Sequence, residues 1–225
     1  MDIHIQTSET AARVLKDLGR AMSLFNRQKA DELFILARAF EKKEKMLNVD
    51  YPFTLEPSER PDFIIRSGGR QIGLEITTLM APQRAKAESI AAKHGIGLRH
   101  NQFGFSSPNL RAAEVKTRLQ SLPPQAGLSQ WTCINQETEC FIKQLTTIIR
   151  SKTEKILING SSPCPENWLL IEDKMGIGKT QETPICKAIC ELHVSQSSSC
   201  RFDQIILMLM GDKYSFFFGP WPCSD

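Results

Sequence analysis

Two carboxylates, Asp62 and Glu75, lie near the two ends of the stretch PDFIIRSGGRQIGLE. Gly-Gly is a preferred sequence for a two-residue β-hairpin turn, so Gly68 and Gly69 predict a turn between the two acids. If strands leave that turn in both directions, Asp62 faces Glu75 directly across the hairpin. The spacing therefore predicts two acids held side by side on one face of a sheet.

The apolar residues of the same stretch support this register. Phe63 then faces Leu74, and Ile65 faces Ile72, on the side opposite the acids. A slip of one residue would turn these apolar side chains to the wrong face, so the pattern specifies the pairing.

Directly opposed residues have Cβ atoms about 4.5–5.5 Å apart, and like charges at that separation are destabilising. A bound Mg²⁺ would compensate, because it takes oxygen ligands, typically one or two carboxylates with water and substrate phosphate. Thr77 lies on the same face as Glu75, since side chains alternate along a strand. The alternative is that Asp62 caps the strand and Glu75 is solvated.

Pro61-Asp62, followed after the hairpin by Glu75-Ile76-Thr77, resembles the PD-(D/E)XK nuclease superfamily, which has the restriction-endonuclease-like fold. The resemblance implies that Asp62 and Glu75 bind Mg²⁺ or Mn²⁺, with the carbonyl of Ile76 as a further ligand. It also implies an α/β fold with a mixed β-sheet flanked by helices. The implied activity is hydrolysis of phosphodiester bonds, with DNA as the expected substrate.

One residue departs from the family pattern, because Thr77 stands where the motif ends in lysine. A lysine there would orient or activate the attacking water and balance charge in the transition state. Some family members supply it from the following core helix. Lys152 and Lys155 extend the apolar stripe of a helix predicted from about residue 134 to 157, and Lys152 is the better placed. Arg60, opposite Thr77 in the same register, is a third option.

Further acids are available in the sequence, namely Glu59, Glu32 and Glu41. Each is more typical of a surface charge than of a ligand. If no lysine reaches the acids, the chain is a catalytically inactive relative that binds nucleic acid or a protein partner.

The elements that would position these residues follow from periodicity. Residues 1–50 predict an N-terminal helical layer, and residues 51–225 an α/β core with a basic insertion near 82–130, all in a single nuclease-like domain. Helices are predicted at 82–94, 110–122 and 185–193. Later strands are predicted in NWLLIED, FDQIILMLM and KYSFFF.

Composition and charge limit the function classes. Apolar residues make up 41% of the 225 residues and charged residues 24%, which is typical of a folded soluble domain. No apolar stretch is long enough to span a membrane, and seven cysteines suit reduced thiols in the cytoplasm. The formal charge is only +3, but seven basic residues between Arg84 and Arg118 against two acids form a patch that suits a polyanion.

A rival motif, GIGKT at residues 176–180, resembles the end of a phosphate-binding P-loop. The full pattern needs glycine where Asp173 stands, and Pro184 interrupts the helix that should begin at Lys179. The motif therefore does not predict a nucleotide-binding protein. Sequence alone leaves open DNA against RNA and the oligomeric state, for which a homodimer is one option.

Overall fold

A computed structural model of the chain describes most of its residues. The described ranges are 2–41, 47–96, 109–121, 134–158, 164–174, 182–195, 202–208 and 215–218. The strands are β1 (Ile3–Ile5), β2 (Phe53–Pro57), β3 (Phe63–Ser67), β4 (Arg70–Leu79), β5 (Glu166–Asp173), β6 (Gln204–Met208) and β7 (Ser215–Phe218). The helices are α1 (Ser8–Met22), α2 (Arg27–Glu41), α3 (Pro82–His94), α4 (Ala112–Ser121), α5 (Ile134–Ile158) and α6 (Glu182–Ser195).

The seven strands form one sheet in the order β1-β2-β3-β4-β5-β6-β7. Strands β1 to β4 pair antiparallel, β4 to β6 pair parallel, and β7 returns antiparallel to β6. The parallel step from β4 to β5 is possible because the long segment with α3, α4 and α5 joins them. The predicted α/β class with a mixed sheet flanked by helices is confirmed.

The hairpin of β3 and β4 has the predicted register. Phe63 pairs with Leu74 and Ile65 with Ile72. The turn lies at Gly68 and Gly69, with φ of 55° and 81°. Positive φ at both central residues is what a type I′ hairpin turn requires, and glycine adopts it without strain.

Helices cover both faces of the sheet. On one face, α1 and α2 pack on the apolar side chains of β3 and β4 and on alternate residues of β5, including Phe63, Leu74 and Leu170. On the other, α5 and α6 pack on the remaining alternate residues, such as Leu169 and Ile171. Strands buried on both faces explain the nearly continuous apolar runs of β5 and β6.

The N-terminal layer differs from the prediction in one respect. Residues 3–5 form an edge strand that pairs with β2, so the layer is not wholly helical. The short alternation of buried Ile3, exposed His4 and buried Ile5 is the period of a half-buried strand, and it ends two residues before Thr7, the residue that precedes α1.

The insertion contains two helices, as predicted. Helices α3 and α4 pack on one another through a small apolar cluster of Ala87, Ala91, Val115 and Leu119. None of the helices in the described ranges is long and apolar enough to cross a membrane.

Candidate metal site at the β3–β4 junction

Asp62 lies one residue before β3 and only 8% of its surface is exposed. Its Oδ2 accepts a hydrogen bond from the backbone N–H of Ile76, 2.7 Å away on β4. The β3–β4 ladder ends at the pair of Phe63 and Leu74, so this N–H lies beyond the ladder and can bond a side chain. The carboxylate of Asp62 is therefore attached to β4 at the residue next to Glu75.

The β3–β4 ladder has the predicted register but ends at the pair of Phe63 and Leu74, so Asp62 lies one residue beyond it and does not pair with Glu75 within the ladder. Beyond the last pair, the Ile76 N–H donates to the Asp62 carboxylate and not to a β3 carbonyl. The Asp62 carbonyl accepts hydrogen bonds from Ser58 N–H and the Lys29 ammonium, both at 3.0 Å.

Glu75 is half-buried on β4 and is paired with Lys152. The Nζ of Lys152 lies 2.6 Å from Oε2 of Glu75, with 21% and 15% of the two side chains exposed. Phe141, Leu145 and Ile149 of α5 are buried against the sheet, and Lys152 follows Ile149 by one turn. The helix that packs on the sheet thus brings an ammonium to the acid, whereas the Lys155 side chain is exposed.

Charge and burial act together on Asp62. The pKa of Asp62 is raised to about 6, chiefly because burial disfavours the ionised form, while the hydrogen bond from Ile76 acts to lower it. The neighbouring carboxylates of Glu75 and Glu32 also act to raise this pKa, and Lys152 acts to lower it. Three acids and one ammonium therefore share one electrostatic environment.

Glu32 reaches this environment from α2, on the other side of the sheet from α5. It is 6% exposed and forms an ion pair with Lys29 at 2.6 Å. Of the three further acids considered from the sequence, Glu32 alone is buried, and the exposed Glu41 pairs instead with Lys16 of α1. Sequence reasoning did not single out Lys29, because a Lys-x-x-Glu spacing on a helix is equally typical of a solvated surface pair.

The other predicted site residues lie close by. Thr77 is partly buried on β4 and pairs with Ile171 of β5. Ile76 is 5% exposed and its N–H binds Asp62; its carbonyl as a metal ligand stays a prediction. Glu59 and Arg60 are exposed in the loop that leads to Asp62.

The donor set suits a hard divalent cation that keeps much of its water. Within the described ranges, no group of three or more His, Cys, Asp or Glu side chains is arranged to hold a metal ion. Asp62 and Glu75 would supply two carboxylates, and Mg²⁺ commonly takes one or two, with water and substrate phosphate completing its shell. The oxygen donors of Asp62 and Glu75 are of the type that Mg²⁺ and Mn²⁺ take.

Some basic side chains of the segment at 84–118 are bonded to other groups of the protein. Arg84 is 7% exposed and pairs with Glu88 at 3.1 Å, and the ammonium of Lys86 donates to the carbonyl of Leu110. The Lys86 contact joins α3 to the segment before α4. Lys93 and Arg111 are exposed.

Two other sequence features bear on the site less directly. The GIGKT motif lies outside the described residues, and α6 begins at Glu182 with Pro184 in its first turn. Four of the seven cysteines, Cys140, Cys164, Cys186 and Cys190, lie in the described ranges and form no disulfide bond there.

Comparisons with known proteins add no relative. No protein-family model matches the chain, and searches of the curated proteins and of the solved structures also found no match.

Proposed function

We propose that the protein is a metal-dependent nuclease of the PD-(D/E)XK type that hydrolyses phosphodiester bonds in DNA. The observation that carries the proposal is the grouping of Asp62, Glu75 and Lys152. The carboxylate of Asp62 is bound at Ile76 N–H, next to Glu75, whose carboxylate lies 2.6 Å from the Lys152 ammonium. Two acids and a lysine brought together from three separate elements are the groups that this chemistry needs.

Each residue has a role that its position supports. Asp62 and Glu75 would hold Mg²⁺, which when bound polarises the scissile phosphate and neutralises its charge. Lys152 contacts Glu75, so its ammonium lies at the edge of the metal site. There it can hydrogen-bond the attacking water and stabilise charge that develops on the phosphate.

Lys152 can take the place of the motif lysine, which this chain lacks because Thr77 stands at that position. Thr77 is on β4 where the motif lysine would be, and α5 supplies an ammonium to the neighbouring acid instead. A lysine donated from a helix can serve the same chemistry, because its position relative to the metal and the phosphate matters and its place in the chain does not.

The element order supports a restriction-endonuclease-like core. An N-terminal helical layer precedes the antiparallel meander of β2, β3 and β4, and a long helix then leads to the parallel strand β5. This is the order expected for that fold from the resemblance. Function is argued from the site and not from this order, since one fold can carry many activities.

A second candidate is a catalytically inactive protein that binds nucleic acid or a protein partner. The Lys152–Glu75 ion pair favours it, because the ammonium already neutralises one of the two acids without a metal. In that case Asp62 would be the one acid left to attract a cation, and a single carboxylate would bind Mg²⁺ weakly.

Cleavage assays separate the two candidates. The purified protein is incubated with supercoiled, linear and single-stranded DNA in millimolar Mg²⁺ or Mn²⁺, and with EDTA. We expect metal-dependent cleavage that falls roughly a hundredfold or more in Asp62→Asn and in Glu75→Gln. Glu59→Gln, which changes an exposed acid three residues from Asp62, is the matched control and should cut like the wild type. Cleavage that persists in Asp62→Asn, or in EDTA, would contradict the nuclease proposal.

A further inference from the structure

Lys29 of α2 is enclosed by acceptors at the base of the proposed metal site. Its ammonium lies 2.6 Å from Oε2 of Glu32 and 3.0 Å from each of two backbone carbonyls, those of Ser58 and Asp62. The same ammonium lies 4.7 Å from the centre of the Phe63 ring. Only 15% of the side chain is exposed, which is low for a lysine.

The two carbonyls are the ends of one short loop. Residues 58–62 connect β2 to β3, and Ser58 N–H also donates to the carbonyl of Asp62 at 3.0 Å. The Lys29 ammonium therefore links the two ends of the loop to each other and to α2, because it donates to both carbonyls. Each of these hydrogen bonds is charge-assisted, and such bonds are roughly twice as strong as neutral ones.

We propose that Lys29 is a positioning residue, which holds the loop of residues 58–62 so that the Asp62 carboxylate stays at Ile76 N–H. The proposal rests on the proposed function. It means that a residue of α2 supports the metal ligand Asp62, which lies outside that helix.

The chemistry of the contacts explains why a lysine is needed here. The carbonyl of Asp62 and its side chain belong to one residue, so an ammonium that fixes the carbonyl limits how far the carboxylate can move. Glu32 holds the ammonium in place in turn, while the Phe63 face packs along it. Removing one group that orients a metal ligand in this way typically lowers the metal affinity about 10–100-fold.

The variant Lys29→Met tests this role, because methionine keeps an apolar stem over Phe63 but has no ammonium. Two quantities are measured. The first is the rate of hydrogen exchange at the Ser58 amide in metal-free protein, and the second is the Mg²⁺ dissociation constant, obtained from the rise in melting temperature with Mg²⁺ concentration (called the Mg²⁺ constant below). Lys16→Met is the matched control, since Lys16 of α1 pairs with Glu41 of α2 away from the site. Lys29→Arg tests rescue, because arginine restores the charge and the donors.

We expect Lys29→Met to weaken the Mg²⁺ constant about tenfold or more and to speed Ser58 exchange by a similar factor. Lys16→Met should change neither, and Lys29→Arg should recover part of both. A Lys29→Met protein that melts at a lower temperature but keeps the wild-type Mg²⁺ constant and Ser58 exchange would overturn the proposal. If the wild type itself shows no response to Mg²⁺, the proposed function fails, and the Ser58 exchange still decides whether Lys29 holds the loop.

Discussion

The ammonium of Lys152 lies 2.6 Å from the Oε2 of Glu75, although 77 positions separate the two residues in the chain. Opposed carboxylates need a compensating positive charge, and this contact shows that the protein already supplies one for Glu75. Within the part of the chain that the structure describes, the Asp62 carboxylate accepts a hydrogen bond from Ile76 N–H but forms no ion pair, and its pKa is raised to about 6. Among the described residues, the two acids therefore differ in that Glu75 has a compensating positive charge in an ion pair and Asp62 does not.

Asp62→Asn should stabilise the metal-free protein at high pH. Because the native pKa of Asp62, about 6, exceeds the ordinary value of 3.8, the native state binds more protons than the unfolded state between those values. Stability contributed by this residue is thus lost as the pH rises from about 4 to 6. Asparagine keeps an oxygen acceptor for Ile76 N–H and never ionises.

Urea unfolding in EDTA at pH 4 and pH 8 measures this effect. We expect the variant to equal the wild type at pH 4 and to exceed it by about 1–3 kcal/mol at pH 8. An asparagine variant that is less stable than the wild type at pH 8 would show that the ionised Asp62 is itself stabilising, and would contradict the burial argument.

Lys152→Met should separate catalysis from metal binding. Removing the ammonium leaves the half-buried Glu75 unpaired, which should cost about 1–3 kcal/mol of stability in EDTA. Mg²⁺ should then raise the melting temperature at least as much as in the wild type, because the cation replaces the lost charge. Cleavage should fall sharply. Lys155→Met, one turn along α5, is the control and should keep activity; a loss confined to Lys155→Met would transfer the role to that residue.

Glu75→Gln should change stability little but abolish the response to Mg²⁺. The substitution removes the repulsion between Glu75 and Asp62, which is favourable, and also weakens the contact of Lys152, which is unfavourable. We expect a net change within about 1 kcal/mol. Melting curves with and without millimolar Mg²⁺ test this, and a variant that Mg²⁺ stabilises as much as it does the wild type would remove Glu75 from the ligand set.

Gly73→Ala should disturb the site through packing. A Cβ at residue 73 would lie 2.9 Å from Cγ of Pro61, so the chain just before Asp62 would have to move. We expect a stability loss of about 1–3 kcal/mol and a weaker Mg²⁺ constant. Gly19→Ala in α1, where a Cβ would lie 3.0 Å from the Phe34 ring, is the control and should leave the Mg²⁺ dissociation constant unchanged. Equal Mg²⁺ constants in wild type and Gly73→Ala would show that the approach of Pro61 is not needed.

Most elements of the fold could be predicted from local sequence patterns. The Gly-Gly turn and the alternation of Phe63, Ile65, Ile72 and Leu74 fix the hairpin, because a two-residue turn and one buried face leave a single register. The helix over Pro82–His94 has the predicted bounds, since proline begins it and Gly95 with φ of 64° ends it. The edge strand at Ile3–Ile5 was missed because three residues give too short an alternation to distinguish from a helix start.

The site was predictable only in part. The position of Lys152 at the end of an apolar stripe indicated that its side chain approaches the sheet, and its contact with Glu75 agrees with this. The contacts of Lys29 could not be predicted, since they are with the carbonyls of residues far along the chain. The raised pKa of Asp62 likewise depends on burial and on Glu32 and Glu75 together, which no local pattern describes.

The most direct test of the central claim is a titration of isotope-labelled, metal-free protein with Mn²⁺, followed by paramagnetic broadening of the backbone amide signals. If Asp62 and Glu75 hold a divalent cation, the amides of Glu75, Ile76 and Phe63 should broaden at the lowest Mn²⁺ concentrations, Mg²⁺ should reverse the effect by competition, and Glu75→Gln should lose it. Broadening that begins elsewhere, or that is the same in wild type and Glu75→Gln, would contradict a metal site at these two acids and with it the proposed nuclease.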